Sequence, residues 1–180
     1  MMTDTMKNLL KAAGLGAVLV LALQAFGQGA VQEVQTGDEL FVTAVAQADA
    51  YEINSSQLAL EHASSEEVRR FAELMVEHHT MTTEQLMELA TQAGMAPVAT
   101  VSPMHQLMID YLAGLDGSEF DNAYVMQQFV VHQAAVTIFE IGARGTENEG
   151  VRAFASENLP VIQEHLQTVQ ELMQQLGITQ

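Results

Sequence analysis

Glu52, His79, His132 and His165 are the side chains of this sequence whose types and spacing can do chemistry together. Imidazole nitrogen and carboxylate oxygen are ligands for zinc, iron, manganese and copper, and helical bundles build such sites from side chains that project inward from facing helices. His79 sits at the centre of an apolar stripe made by Val68, Ala72, Met75, Leu86, Ala90 and Ala93 at 100° per residue. His132 holds the same place among Val125, Phe129, Val136, Phe139 and Ala143. His165 lies about 60° from the centre of a seam of Leu159, Ile162, Leu166, Val169, Met173 and Leu176. Two readings fit three imidazoles on buried faces. They converge with Glu52 on a single transition-metal ion, or they form a hydrogen-bonded cluster that only holds the core together, because every buried ring nitrogen needs a partner.

The Glu-x-x-His pairs of a di-iron carboxylate bundle are missing: the residues three before the histidines are Val76, Phe129 and Ile162. That disfavours an iron store or a di-iron oxidase. No phosphate-binding glycine loop, serine nucleophile elbow or basic aromatic surface is found, and no catalytic residue is assigned, so a non-enzymatic role is expected. His78 falls 100° round from His79 and is expected at an interface or the surface. His62, beside a turn, is expected to be structural, and His105, in a crossover, to be solvated. Met75 is one turn from His79 and offers a thioether to copper(I), against the commoner role of methionine as core filler.

The elements that must position these residues are helices. Thr36-Gly-Asp-Glu39 reads as a capping box that opens a helix over 37–62, with an apolar face of Leu40, Ala44, Ala48, Tyr51, Ser55, Leu58 and His62 and with Glu52 at its edge. Ser64-Ser-Glu-Glu67 opens the His79 helix, which runs to Gly94. A two-proline linker, 94–103, leads to a short helix from Pro103 to Leu115. Ser118-Glu-Phe-Asp121 caps the His132 helix and Thr146-Glu-Asn-Glu149 the last one, which is expected to break at Leu159-Pro160. Counted from the hairpin turns at 1.5 Å per residue, Glu52 and His79 differ by only about 4–5 Å in height, and His132 and His165 reach the same middle level. The halves also repeat: Val68-Arg-x-Phe-Ala72 recurs as Val151-Arg-x-Phe-Ala155, and Glu77-His78 as Glu164-His165. The prediction is an all-α, pseudo-symmetric four-helix bundle of two antiparallel hairpins joined by a long crossover with a short extra helix.

The composition places this bundle outside the cytoplasm. Lys7 and Lys11, an apolar run from Ala12 to Phe26 and the small-x-small triplet Ala25-Phe26-Gly27 have the layout of a signal peptide over 1–27, followed by a flexible leader over 28–36 and one domain over 37–180. The apolar run is shorter than the roughly 20 residues that span a bilayer, so no stable membrane insertion is expected after cleavage. Beyond residue 27 there is no lysine, and four arginines stand against 22 acidic residues. Such a surface repels nucleic acid and attracts cations. Cysteine is absent, so any metal must be held by nitrogen, oxygen or thioether.

The set Glu52-Ile, Leu58-Ala59, Val68-x-x-Phe71-Ala72-x-x-Met75-Val76-x-x-His79, Gly117-x-x-Phe120-Asp121-x-x-Tyr124, His132, Phe154-Ala155 and Leu159-Pro160-x-x-x-x-His165 resembles an exported bacterial family of unknown function with a ferritin-like four-helix fold, whose members are labelled outer-membrane or periplasmic proteins. The resemblance covers nearly all of the chain after residue 36. It implies the fold, export and a histidine-centred site, with His79 as the better match and His78 as the departure, and it supplies no reaction. The expected role is metal handling or envelope stress tolerance, or, on the other reading, structure and interaction through the acidic surface.

Overall fold

The computed structural model describes residues 37–178 and builds them from five helices: α1 Gly37–His62, α2 Glu66–Gln92, α3 Pro103–Leu112, α4 Gly117–Gly145 and α5 Glu149–Leu176. Among the described residues no helix is long and apolar enough to cross a membrane. The expected signal peptide, leader and Thr36 cap lie outside the described residues. α1 pairs with α2 and α4 with α5 as hairpins, while α1 also packs on α4, α2 on α5, and α3 over α1 and α4. This is the expected bundle.

The hairpin ends show how the halves are joined. Asp121, near the start of α4, accepts hydrogen bonds from the backbone of Ser64 (3.1 Å) and Ser65 (3.0 Å) and from the Ser64 hydroxyl. Asp38, in the first turn of α1, does the same for Glu147 (2.9 Å) and Asn148 (2.8 Å). Arg69 donates to the Ala63 carbonyl and Arg152 to that of Thr146. Asp38 to Asp121, Ala63 to Thr146 and Arg69 to Arg152 are the same sequence step, so the repeat is realised as a two-fold exchange of caps. Because each turn sits beside the start of the other hairpin, α1 and α4 run antiparallel, and the crossover must travel the length of the bundle.

The expected capping boxes shift for this reason. With Ser64 engaged by Asp121, the cap of α2 is Ser65, whose hydroxyl accepts from Val68 N at 3.3 Å. α5 is capped by Asn148 rather than Thr146, and the Thr146 hydroxyl donates to the Gly142 carbonyl at 2.7 Å. α4 begins after Asp116, whose carboxylate meets His62 at 2.7 Å, and not after Ser118. α5 runs unbroken through Pro160, contrary to the expected interruption. Ser156 and Pro160 are both exposed, so water satisfies the carbonyl that lacks its donor, and burial of Phe154, Ala155 and Ile162 on the inner side outweighs the loss of one bond.

The face of α1 is also rotated from the one expected. Leu40 is 54% exposed, whereas Phe41, Val42, Val45, Ala46, Asp49, Glu52, Ser55, Ser56 and Ala59 are buried. The apolar residues misled because the inner face of this helix is polar at mid-height. Gly142 lets α4 approach α1 closely, since a Cβ there would lie 2.3 Å from the Phe41 ring. The apolar core divides into two clusters, one around Met75, Tyr124, Phe129 and Val169 and one around Phe41, Leu86, Phe139 and Ile162. The histidines fall between the two.

Candidate metal centre

Each helix delivers its histidine at the break between the two apolar clusters. His79 stands between Met75 and Leu86 on α2, His132 between Phe129 and Phe139 on α4, and His165 between Ile162 and Val169 on α5. The ring centroids are 6.0 Å apart for His79 and His132, 5.6 Å for His79 and His165, and 5.5 Å for His132 and His165. All three rings are buried, and one nitrogen from each lies within 4.8 Å of the others. His165 is thus inside the face of α5 and not at its edge.

The outward nitrogen of every ring is held. His79 Nδ1 pairs with Asp49 Oδ1 at 2.7 Å, and the Thr83 hydroxyl donates to the other carboxylate oxygen at 3.2 Å. His132 Nδ1 donates to the Gln128 carbonyl at 2.9 Å, which fixes its tautomer and leaves a lone pair on Nε2. His165 Nε2 pairs with His78 Nδ1 at 2.8 Å. His79 Nε2, His132 Nε2 and His165 Nδ1 are buried with no hydrogen-bond partner. A carboxylate, a backbone carbonyl or another polar group behind each ring, with the opposite nitrogen free, is how metal-binding histidines are oriented. Nitrogens 2.0–2.1 Å from one tetrahedral ion are about 3.3–3.4 Å apart, so closing the site asks for movements of about 1 Å.

Burial pushes His132 down to about 3, reinforced by the His79 charge, and pushes His165 down to about 2, reinforced by His132, His79 and His78. Both rings are therefore neutral throughout the physiological range. For His79 burial acts downward, but the Asp49 hydrogen bond and the charges of Glu52 and Asp49 outweigh it and leave the group raised. Glu52 is pushed up to about 7 by burial, against the opposing pull of His79 and Gln128. Its Oε1 lies 3.8 Å from His132 Nδ1, and neither carboxylate oxygen has a partner. Glu52 thus lies on the Nδ1 side of the His132 ring, the side that faces Gln128, and the group of atoms within 4.8 Å of one another holds His79, His132 and His165 without the expected fourth member Glu52.

A cavity of about 310 Å³ reaches this place from between α1, α3 and α4. Asp49, Glu52, His79 and His132 form its polar floor, apolar residues such as Val131, Ile138 and Phe139 its walls, and Met104, His105 and Met108 its mouth. His105 is half-buried against the Tyr51 ring, 4.8 Å between centroids, rather than solvated. His62 is structural as expected, bonded to Asp116 and stacked on Phe120. His78, expected at an interface or the surface, is partly buried and bonded to His165. Met75 is core filler. Asp49 and Gln128 were not anticipated; the signal for Asp49 was its place three residues before Glu52, on the same face of α1, and the same repeat step from His132 that links Asp38 to Asp121.

The sequence matches the model of DUF4142, a domain of unknown function, over residues 23–172. No curated protein matches it. Among solved structures, CopM in its Cu(I)-bound form is similar, with 18% identity and a TM-score of 0.66 over 78% of this chain and 98% of that chain. A DUF305 protein from Streptomyces coelicolor shares 14% identity at a TM-score of 0.68, over 79% of this chain and 95% of that one. A DUF305 fragment from Deinococcus radiodurans shares 18% at 0.68, over 80% and 98%. At these identities the likeness is one of fold.

Proposed function

This chain belongs to the DUF4142 family, a domain of unknown function, and on that premise we propose that it is an exported protein whose bundle holds one transition-metal ion, copper or zinc, for metal handling in the cell envelope. The observation that carries the reading is the convergence of three buried, partnerless imidazole nitrogens whose opposite nitrogens are all engaged. Imidazole without thiolate suits copper and zinc better than manganese, which favours oxygen. Three protein nitrogens leave a fourth position. Glu52, buried near the Nδ1 side of His132, and Asp49, behind His79, supply the negative charge that a buried cation needs. Access through the cavity suits exchange of the ion rather than permanent structural storage. CopM, of similar fold, is known in Cu(I)-bound and Ag-bound forms, which supports this kind of bundle as a host for such ions.

Export is the reading of Lys7, Lys11, the apolar run to Phe26 and the small residues before Gln28, with residues 1–27 removed and 37–180 as the working domain. The test is metal analysis of protein purified from its native compartment, alongside His79→Ala/His132→Ala. Wild type should carry or titrate one equivalent at micromolar metal, with nitrogen scatterers at about 2.0 Å in X-ray absorption, and the variant none. If neither binds metal, the histidines are a hydrogen-bonded core cluster and the function lies on the acidic surface.

A further inference from the structure

The mouth of the cavity carries a donor set of its own. Met104, His105 and Met108 come from α3. The two methionines are four residues apart, so both thioethers fall on one side of the helix with the His105 ring beside them. Core filling does not account for Met104, which is 62% exposed, whereas Met75 and Met173 are buried. Exposure falls inward, from Met104 through half-buried Met108 and His105 to Glu52 and His132 at 1%. His105 Nδ1 is buried at the neck with no hydrogen-bond partner.

Thioethers are soft ligands that favour Cu(I) over Zn²⁺. We infer that Met104, His105 and Met108 form an entry site that captures Cu(I) and passes it along the cavity to His79, His132 and His165. The destination rests on the metal reading of the three histidines; the entry site stands on its own residues.

The intact protein with ¹³C-methyl methionine is titrated with Ag(I), a redox-inert probe for Cu(I), as wild type and as His79→Ala/His132→Ala. The Met104 and Met108 methyl resonances should shift in both. Absence of those shifts in both overturns the entry site; shifts without any uptake by wild-type histidines leave the entry site standing and overturn only the destination. Met104→Leu/Met108→Leu should slow Cu(I) loading of the histidines by about tenfold through loss of the soft donors, with their equilibrium affinity and Zn²⁺ loading unchanged. Equal Cu(I) loading rates overturn the relay.

Discussion

Glu52 and His132 are 3.8 Å apart and answer pH in opposite senses. Burial depresses His132 to about 3, so between the ordinary histidine value of about 6.5 and that point the unfolded chain binds a proton that the folded one refuses. Stability contributed by His132 is present above pH 6.5 and is lost as pH falls. Urea unfolding of metal-free protein between pH 7 and 4 should show it, and His132→Leu should flatten the slope by close to one proton; an unchanged slope would show that this ring is not kept neutral by burial. Glu52, raised to about 7, has the reverse sign. Its contribution is present below about pH 4.3 and lost as pH rises through 7. Metal-free Glu52→Gln should therefore be more stable than wild type at pH 8, by up to about 3 kcal/mol, and weaker in metal binding. Equal stability at pH 8 would mean that the buried carboxylate finds compensation elsewhere.

At the scale of elements, the bundle is held in register by two aspartates that cap one another's hairpins. Asp121 serves the α1–α2 turn and Asp38 the α4–α5 turn. Each satisfies two part-buried backbone donors, so Asp38→Ala and Asp121→Ala should each lose about 1–2 kcal/mol, similar in size because the two turns are equivalent. Thermal or chemical melts of the two variants check this, and a loss confined to one would break the proposed equivalence. Helix ends were legible in the sequence to within a few residues, because glycines, prolines and capping side chains act locally. The actual caps were not, since Asp121 reaches Ser64 across a separation of 57 residues and displaces the cap to Ser65. The break at Pro160 was likewise misjudged from local geometry alone, and packing on its inner side decides it.

For the whole molecule, a metal that binds only the folded bundle must stabilise it. At a hundredfold excess over its Kd the gain is about 2.7 kcal/mol, or about 5–10 °C in Tm for a chain of this size. A chelator should reverse the rise, and His79→Ala/His132→Ala should not show it; a shift that survives in the variant would assign the metal to carboxylates elsewhere among the 22 acidic residues that follow residue 27. The sequence by itself determined five helices, their order and a common height for His79, His132 and His165. Periodicity and rise are properties of each segment alone, and counting from a turn converts them into level. Only the tertiary structure decided that α1 buries Asp49 and leaves Leu40 exposed, that Asp49, Gln128 and His78 hold the rings from behind, and that α3 roofs the cavity. Those facts depend on the rotation of each helix against its neighbours, which close packing of Phe41 on Gly142 and of the two apolar clusters sets, and no single segment encodes that rotation.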